Sequence, residues 1–154
     1  MTSRSTPVQA APIDRPAYSR TFPCEPETAE IGRSLVRDAL GLWRLNVLVD
    51  PAELIISELV ANAVRHTSCR WIRLLVQRPR PARVRIGVVD RAPSRVPAFP
   101  PAGKDDESGR GLLLIDAVAD RWGYDLRGSG RRPWGKEVWA ELLVEGEPLV
   151  KAEQ

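Results

Sequence analysis

The sequence predicts an α+β sandwich, with helices packed on one face of a mixed β-sheet. Three observations carry this. Apolar residues recur at helical spacing in two stretches, Ile31, Leu35, Ala39, Leu42 and Ile56, Val60, Ala63, Val64. Residues 83–89 alternate instead, with Val84, Ile86 and Val88 set against Arg83, Arg85 and Gly87, the period of a half-buried strand. Further strand-like runs then precede and follow these segments, the mixture expected of helices segregated to one face of a sheet.

The elements follow in chain order. Met1–Pro16 is polar and proline-rich, without the apolar stretch of a secretory signal, and reads as a flexible leader. Tyr18–Phe22 is a short first strand, broken by Pro23-Cys24-Glu25-Pro26. A first helix runs from Glu27 to about Trp43. A second is expected over Pro51–His66, with Asp50 as cap, Pro51 at the first helical position and Glu53 completing a capping box. Arg70–Gln77 is a strand ended by Pro79 and Pro81, and it should form a hairpin with the strand from Arg83 to Val89. Asp90–Arg110 has four prolines and the charged run Lys104-Asp105-Asp106-Glu107. A segment this long and structureless inside a domain is usually functional. Gly111–Ala119 is a third helix, and Trp122–Leu126 and Glu137–Val144 are closing strands joined by the Gly/Arg-rich turn Arg127–Arg132. This gives one domain over 17–146 and a short tail over 147–154.

Composition narrows the classes of function. The chain has 154 residues, 43% hydrophobic and 28% charged, enough to bury a core without disulfides or metal. No apolar run approaches the ~18–20 residues that cross a membrane, so a cytoplasmic protein is expected. Cys24, Cys69 and His66 do not have zinc-site spacing, and two reduced, structural thiols are expected. The formal charge of +3 comes almost wholly from arginines spread along the chain. No recognition helix stands out, and nucleic acid is the least favoured partner.

Two clusters carry chemistry. In the second helix Glu58 and Asn62 are four residues apart and share a face, which Arg65 and His66 extend. An amide oxygen is a hard, neutral ligand suited to Mg²⁺, and a neighbouring carboxylate can orient or deprotonate an attacking hydroxyl. Each such pair is common on exposed helices when taken alone. The second cluster is Ser108-Gly109-Arg110-Gly111-Leu112, directly before a helix, where glycines let backbone amides approach phosphate. It lacks the spacing of a P-loop. Asp90, ending a strand, is a candidate acceptor for an amino group.

The order of these parts is more specific than any one of them. A Glu-x-x-x-Asn helix, a hairpin ending in Asp, a long lid and Gly-x-Gly before a helix together resemble the ATP-binding domains of the gyrase, heat-shock chaperone, histidine kinase and mismatch-repair superfamily. The nearest likeness is to the short bacterial anti-sigma-factor serine kinases, over roughly Tyr18 to Val144. Glu58–His66 resembles the family's N box, Ser108–Leu112 its second glycine box, and Gly135-Lys136-Glu137-Val138-Trp139 its closing strand.

The resemblance implies a Bergerat-type fold binding ATP and Mg²⁺. Glu58 would be the general base and Asn62 the Mg²⁺ ligand. Asp90 would read adenine, with Ala92 beside it. Gly109, Arg110 and Gly111 would wrap the phosphates, with Ser108, Leu112, Arg65 and His66 around them. The implied activity is transfer of the γ-phosphate to a serine of an antagonist protein. The implied partners are that antagonist or a sigma factor, and the domain is often a homodimer. His66 is not read as a phosphoacceptor, since that histidine belongs to a dimerisation helix pair; a helix-end contact or the pocket rim is expected. Two positions depart from the pattern. The first glycine box, normally Asp-x-Gly-x-Gly, is Asp90-Arg91-Ala92-Pro93-Ser94, and Glu137 stands where the closing strand often has Thr beside the adenine. Both favour an alternative, a nucleotide- or protein-binding regulatory module without kinase activity.

Overall fold

The computed structural model of the chain describes residues 17–97, 107–128 and 132–144, and for 107–110 the backbone path alone. The expected leader and tail, and the middle of the expected lid, lie outside the described residues. Five strands and three α-helices are seen there: β1 (Ala17–Pro23), α1 (Thr28–Leu42), α2 (Val49–His66), β2 (Trp71–Arg80), β3 (Arg83–Asp90), α3 (Glu107–Val118), β4 (Arg121–Arg127) and β5 (Gly135–Leu143). The sheet order is β1-β2-β3-β5-β4. Every pairing is antiparallel, so the sheet is not mixed as expected. The sandwich itself is as expected, with α1, α2 and α3 on one face.

The period-2 pattern explains the core. Ile72, Leu74 and Val76 of β2, Val84, Ile86 and Val88 of β3, and Val138, Ala140 and Leu142 of β5 all point to the helices. They meet Val36, Ala39 and Leu40 of α1, Ala52, Ile55, Ile56, Leu59, Val60 and Ala63 of α2, and Ile115 of α3. Burying one such aliphatic side chain contributes about 1.5–3 kcal/mol. The face of α1 is rotated from its expected setting. Thr28, Gly32, Val36, Ala39 and Leu40 are buried, whereas Ile31 and Leu42 are exposed. Gly32 faces α2, where a β-carbon would stand 2.8 Å from Ile56 Cγ1, so α1 packs closely on Ile56 at a residue without a side chain.

Among the boundaries that differ from expectation, three have a clear physical cause. Helix α2 starts at Val49, continuous with a 3₁₀ turn over Asn46–Leu48, and no side-chain cap is made. Because α2 starts before Asp50, the amides an Asp50 cap would serve, those of Ala52 and Glu53, fall within the helix's own i→i−4 ladder. Asp50 instead sits in the first turn, where its charge favours the helix dipole, and Pro51 is still among the positions whose N–H has no helical acceptor. Strand β2 continues through Pro79 to Arg80, because the ladder shifts register between Gln77 and Arg80 and spares the missing donor. Helix α3 begins four residues early, at Glu107, so Ser108–Gly111 lie within its first five residues and are not a loop before it.

Helix α1 ends on Arg44, whose φ of 60° is left-handed, with Leu45 N–H bonding Leu40 O at 2.8 Å. Glycine is the residue that takes this conformation without cost. Arg44→Gly is therefore expected to raise the stability by ~0.5–1 kcal/mol, read as a shift of the urea midpoint at unchanged slope.

Candidate functional site

The structure brings the two sequence clusters together. Glu58 and Asn62 are half-buried on α2, and the first turn of α3 lies against them. A β-carbon placed on Gly111 would stand 2.8 Å from Glu58 Oε1, 3.4 Å from Asn62 Oδ1 and 3.8 Å from Arg65 Nη2. Gly111 is thus the floor on which a carboxylate, an amide and a guanidinium converge. Leu112 and Ile115 anchor that end of α3 in the core, at 6% and 0% exposure. The N–H groups of residues 107–109 have no helical acceptor, so the start of α3 offers donors within one turn of Gly111.

Asn62 Oδ1 is buried and accepts no hydrogen bond. A buried carbonyl oxygen without a donor is uncommon and costs stability. It is the kind of atom a hard cation or its water would satisfy. The donor set fits Mg²⁺, with a neutral amide oxygen, a carboxylate one helical turn away, and an arginine and a helix N-terminus for phosphate oxygens. Among the described residues no group of three or more His, Cys, Asp and Glu side chains forms an all-protein metal cage.

Asp90 ends β3 on the helix side of the sheet, in line with Val88 and Ile86. The segment leaving α2 crosses to it, and Arg91 N–H donates to Cys69 Sγ at 3.2 Å. Asp90 is 3% exposed and paired with Lys136, also 3% exposed, across the β3–β5 register. Lys136 Nζ donates to Asp90 Oδ1 at 3.0 Å, to Oδ2 at 2.8 Å and to Ala92 O at 3.0 Å. Ala92 N–H donates back to Asp90 Oδ1 at 2.8 Å. Sequence reasoning placed Lys136 in the closing strand and gave it no role. Its alternation with Val138 puts it on the core side, but its partner follows only once β5 is known to pair with β3.

Glu137 points to the other face of the sheet, away from the helices. It neither faces phosphate nor lies in solvent. It is 5% exposed, with Oε1 accepting from Arg127 Nη2 at 2.8 Å and Oε2 lying 3.6 Å from Arg85 Nε. Glu141 beside it accepts from Arg121 Nε at 2.8 Å, and Arg85 stacks over the Trp139 ring at 4.2 Å. These arginines are engaged with acids and an aromatic ring, not arrayed as a free cationic stripe. His66 and Arg65 are exposed at the end of α2. Arg65 reaches the Gly111 floor, while His66 closes the helix. Cys24 and Cys69 are free thiols, and burial pushes the Cys24 thiol up. Ser108, Gly109 and Arg110 lie in the first turn of α3 by backbone path, beyond which their side chains are not described.

A two-layer sandwich with this site defines a class, and sequence comparison agrees with it. The pattern of the histidine kinase-like ATPase domain matches residues 22–141. The chain belongs to that family. It is also similar to an uncharacterized protein of Streptomyces coelicolor, 42% identical over 73 residues, covering 44% of this chain and 70% of the relative. No helix among the described residues is long and apolar enough to cross a membrane.

Proposed function

We propose that the chain is an ATP-binding regulatory protein of the anti-sigma-factor type, a serine/threonine protein kinase that transfers the γ-phosphate of Mg-ATP to a serine of an antagonist protein. The observation that carries the ATP reading is the orphaned Asn62 Oδ1 beside Glu58, Arg65 and the first turn of α3. Family membership supports it. In this reading Asn62 holds Mg²⁺, and bound Mg²⁺ neutralises charge on the phosphate oxygens. Glu58 accepts the proton of the attacking serine hydroxyl. Arg65 and the free amides at the start of α3 hold the phosphates in line, and positioning and electrostatics supply most of the catalysis. The protein would act in the cytoplasm, and would grip a sigma factor or its antagonist, singly or as a homodimer.

Calorimetry tests the nucleotide step. Mg-ATP is expected to bind with micromolar affinity, roughly −8 kcal/mol, and Asn62→Ala is expected to weaken it at least ~30-fold, since the variant removes the buried oxygen the cation would satisfy. Equal affinity in both proteins would remove Asn62 from the site. A second reading, a binding module that works by occupancy alone, is favoured by Asp90 being closed by Lys136. It predicts binding without any movement of γ-phosphate to a partner.

A further inference from the structure

We propose that Cys69 reacts with hydrogen peroxide and closes a reversible disulfide with Cys24, and that this closure takes Cys69 Sγ away from the Arg91 N–H it accepts in the reduced chain. The inference makes no use of the nucleotide-binding reading, so either can fail without the other.

The two thiols lie at neighbouring strand ends. Cys24 directly follows β1, and Cys69 stands two residues before β2. The β1–β2 pairing runs one step past Pro23 and Trp71, with Cys24 N–H donating to Arg70 O at 2.9 Å. Cys69 is the residue next to that pair. Facing residues of an antiparallel pair have α-carbons about 4.5–5.5 Å apart, and a disulfide spans α-carbons about 4.4–6.8 Å apart. Thr67 ties the two cysteines together. Its hydroxyl donates to Ala63 O at 2.7 Å, and its oxygen accepts from Cys69 N–H at 3.3 Å. The Cys24 thiol meets the same hydroxyl. Both thiols are free and half-buried, within reach of a small oxidant.

Strand order makes the two contacts of Cys69 exclusive. Strand β2 lies between β1 and β3. In the reduced chain Cys69 Sγ is turned toward the end of β3, where it accepts from Arg91 N–H at 3.2 Å. Cys24 lies on the opposite side, at the end of β1. A sulfur drawn to the ~2.05 Å of a disulfide with Cys24 leaves the Arg91 amide. Arg91 directly follows Asp90, so the end of β3 then loses its backbone tie to the α2–β2 connection.

The chemistry balances with peroxide as the oxidant. Burial pushes the Cys24 thiol up, so less of it is thiolate, and the first attack falls to Cys69. The Cys69 thiolate bonds one peroxide oxygen, the O–O bond breaks, and the leaving hydroxide takes a proton to become water. Cys24 sulfur then attacks the sulfenic sulfur of Cys69. The S–S bond forms, the S–O bond breaks, and the hydroxide released takes the Cys24 proton. Two thiols lose two electrons and the two peroxide oxygens gain them. Disulfides in reducing compartments are usually of this transient, redox-sensing kind.

The test treats the reduced full chain with hydrogen peroxide, alkylates it with N-ethylmaleimide and maps the peptides by mass spectrometry. The expected product is a Cys24–Cys69 cross-link within one chain, lighter by two hydrogens and reversed by dithiothreitol. Two alkylated thiols after peroxide, or a link between two chains on a non-reducing gel, would overturn the proposal. Cys24→Ser removes the resolving thiol, so Cys69 should stop at sulfenic acid and be trapped by dimedone. A folded Cys24→Ser chain that peroxide and dimedone leave unlabelled would overturn the attack by Cys69. Hydrogen exchange reads the release at β3. The Arg91 amide should exchange at least about tenfold faster in the oxidised chain than in the reduced one, with the amide of Ile86 in the middle of β3 unchanged. Equal exchange at Arg91 in the two forms would overturn the release. Peptide mapping of the parent chain decides the disulfide even where the variant does not fold.

Discussion

Glu58→Gln is expected to bind Mg-ATP within about threefold of the parent and to lose γ-phosphate transfer by about 10²–10⁴-fold, the usual contribution of a positioned general base. The amide keeps the size and most of the polarity of the carboxylate but cannot take a proton. Single-turnover transfer of labelled γ-phosphate, read beside calorimetry, separates the two effects. Gly111→Ala gives an independent check on the same carboxylate. The added β-carbon would stand 2.8 Å from Glu58 Oε1, the far end of a flexible side chain, so the carboxylate turns aside at little cost to the fold. Alanine in place of glycine within α3 even favours the helix, by up to ~1 kcal/mol. Transfer should therefore fall while the melting temperature holds or rises. A Gly111→Ala protein with parental turnover would mean that Glu58 does not work from the position it takes here. Loss of binding in Glu58→Gln equal to that in Asn62→Ala would mean that Glu58 is a ligand and not a base.

What was legible in the sequence was whatever the local period controls. The i,i+4 spacing of Glu58 and Asn62 places both on one face of α2 without any tertiary knowledge, and alternation in β3 gives its buried side directly. What was not legible was set by partners distant in sequence. The capping box at Asp50 is locally sound, yet the 3₁₀ turn before it starts the helix at Val49 and puts the amides it would serve inside the helical ladder. Pro79 reads as a strand end until the register shift beside it is known. The rotated face of α1 depends on Ile56 needing the space at Gly32. The closing of Asp90 by Lys136 depends on β5 lying between β3 and β4, 46 residues along the chain from the aspartate. Sequence pattern thus located Glu58 and Asn62, while the pairing of Asp90 emerges only from strand order.

The same strand pair makes Gly135→Ala the most damaging small substitution expected in the sheet. Gly135 opens β5, one residue before Lys136. A β-carbon there would lie well inside contact distance of the Asp90 carbonyl oxygen, 3.3 Å from its carbon and 3.4 Å from Arg91 Cα. These are backbone atoms and cannot swing away, unlike the Glu137 carboxylate that a β-carbon on Gly87 would meet. The end of β3 must therefore move off β5 where Asp90 and Lys136 hold their bonds of 2.8 and 3.0 Å. Overpacking alone costs about 1–3 kcal/mol, and loosening a buried ion pair adds to it, since breaking one outright costs about 3–5 kcal/mol. The sum expected is at least ~3 kcal/mol, a fall of roughly 10 °C in melting temperature for a domain of this size. Gly87→Ala should cost distinctly less, because the group it meets can turn. Thermal and urea unfolding of the two variants side by side gives the order. If Gly135→Ala were the milder of the two, the strand ends at Asp90 and Gly135 would have to yield easily, and the Asp90–Lys136 pair would contribute little to holding β3 against β5.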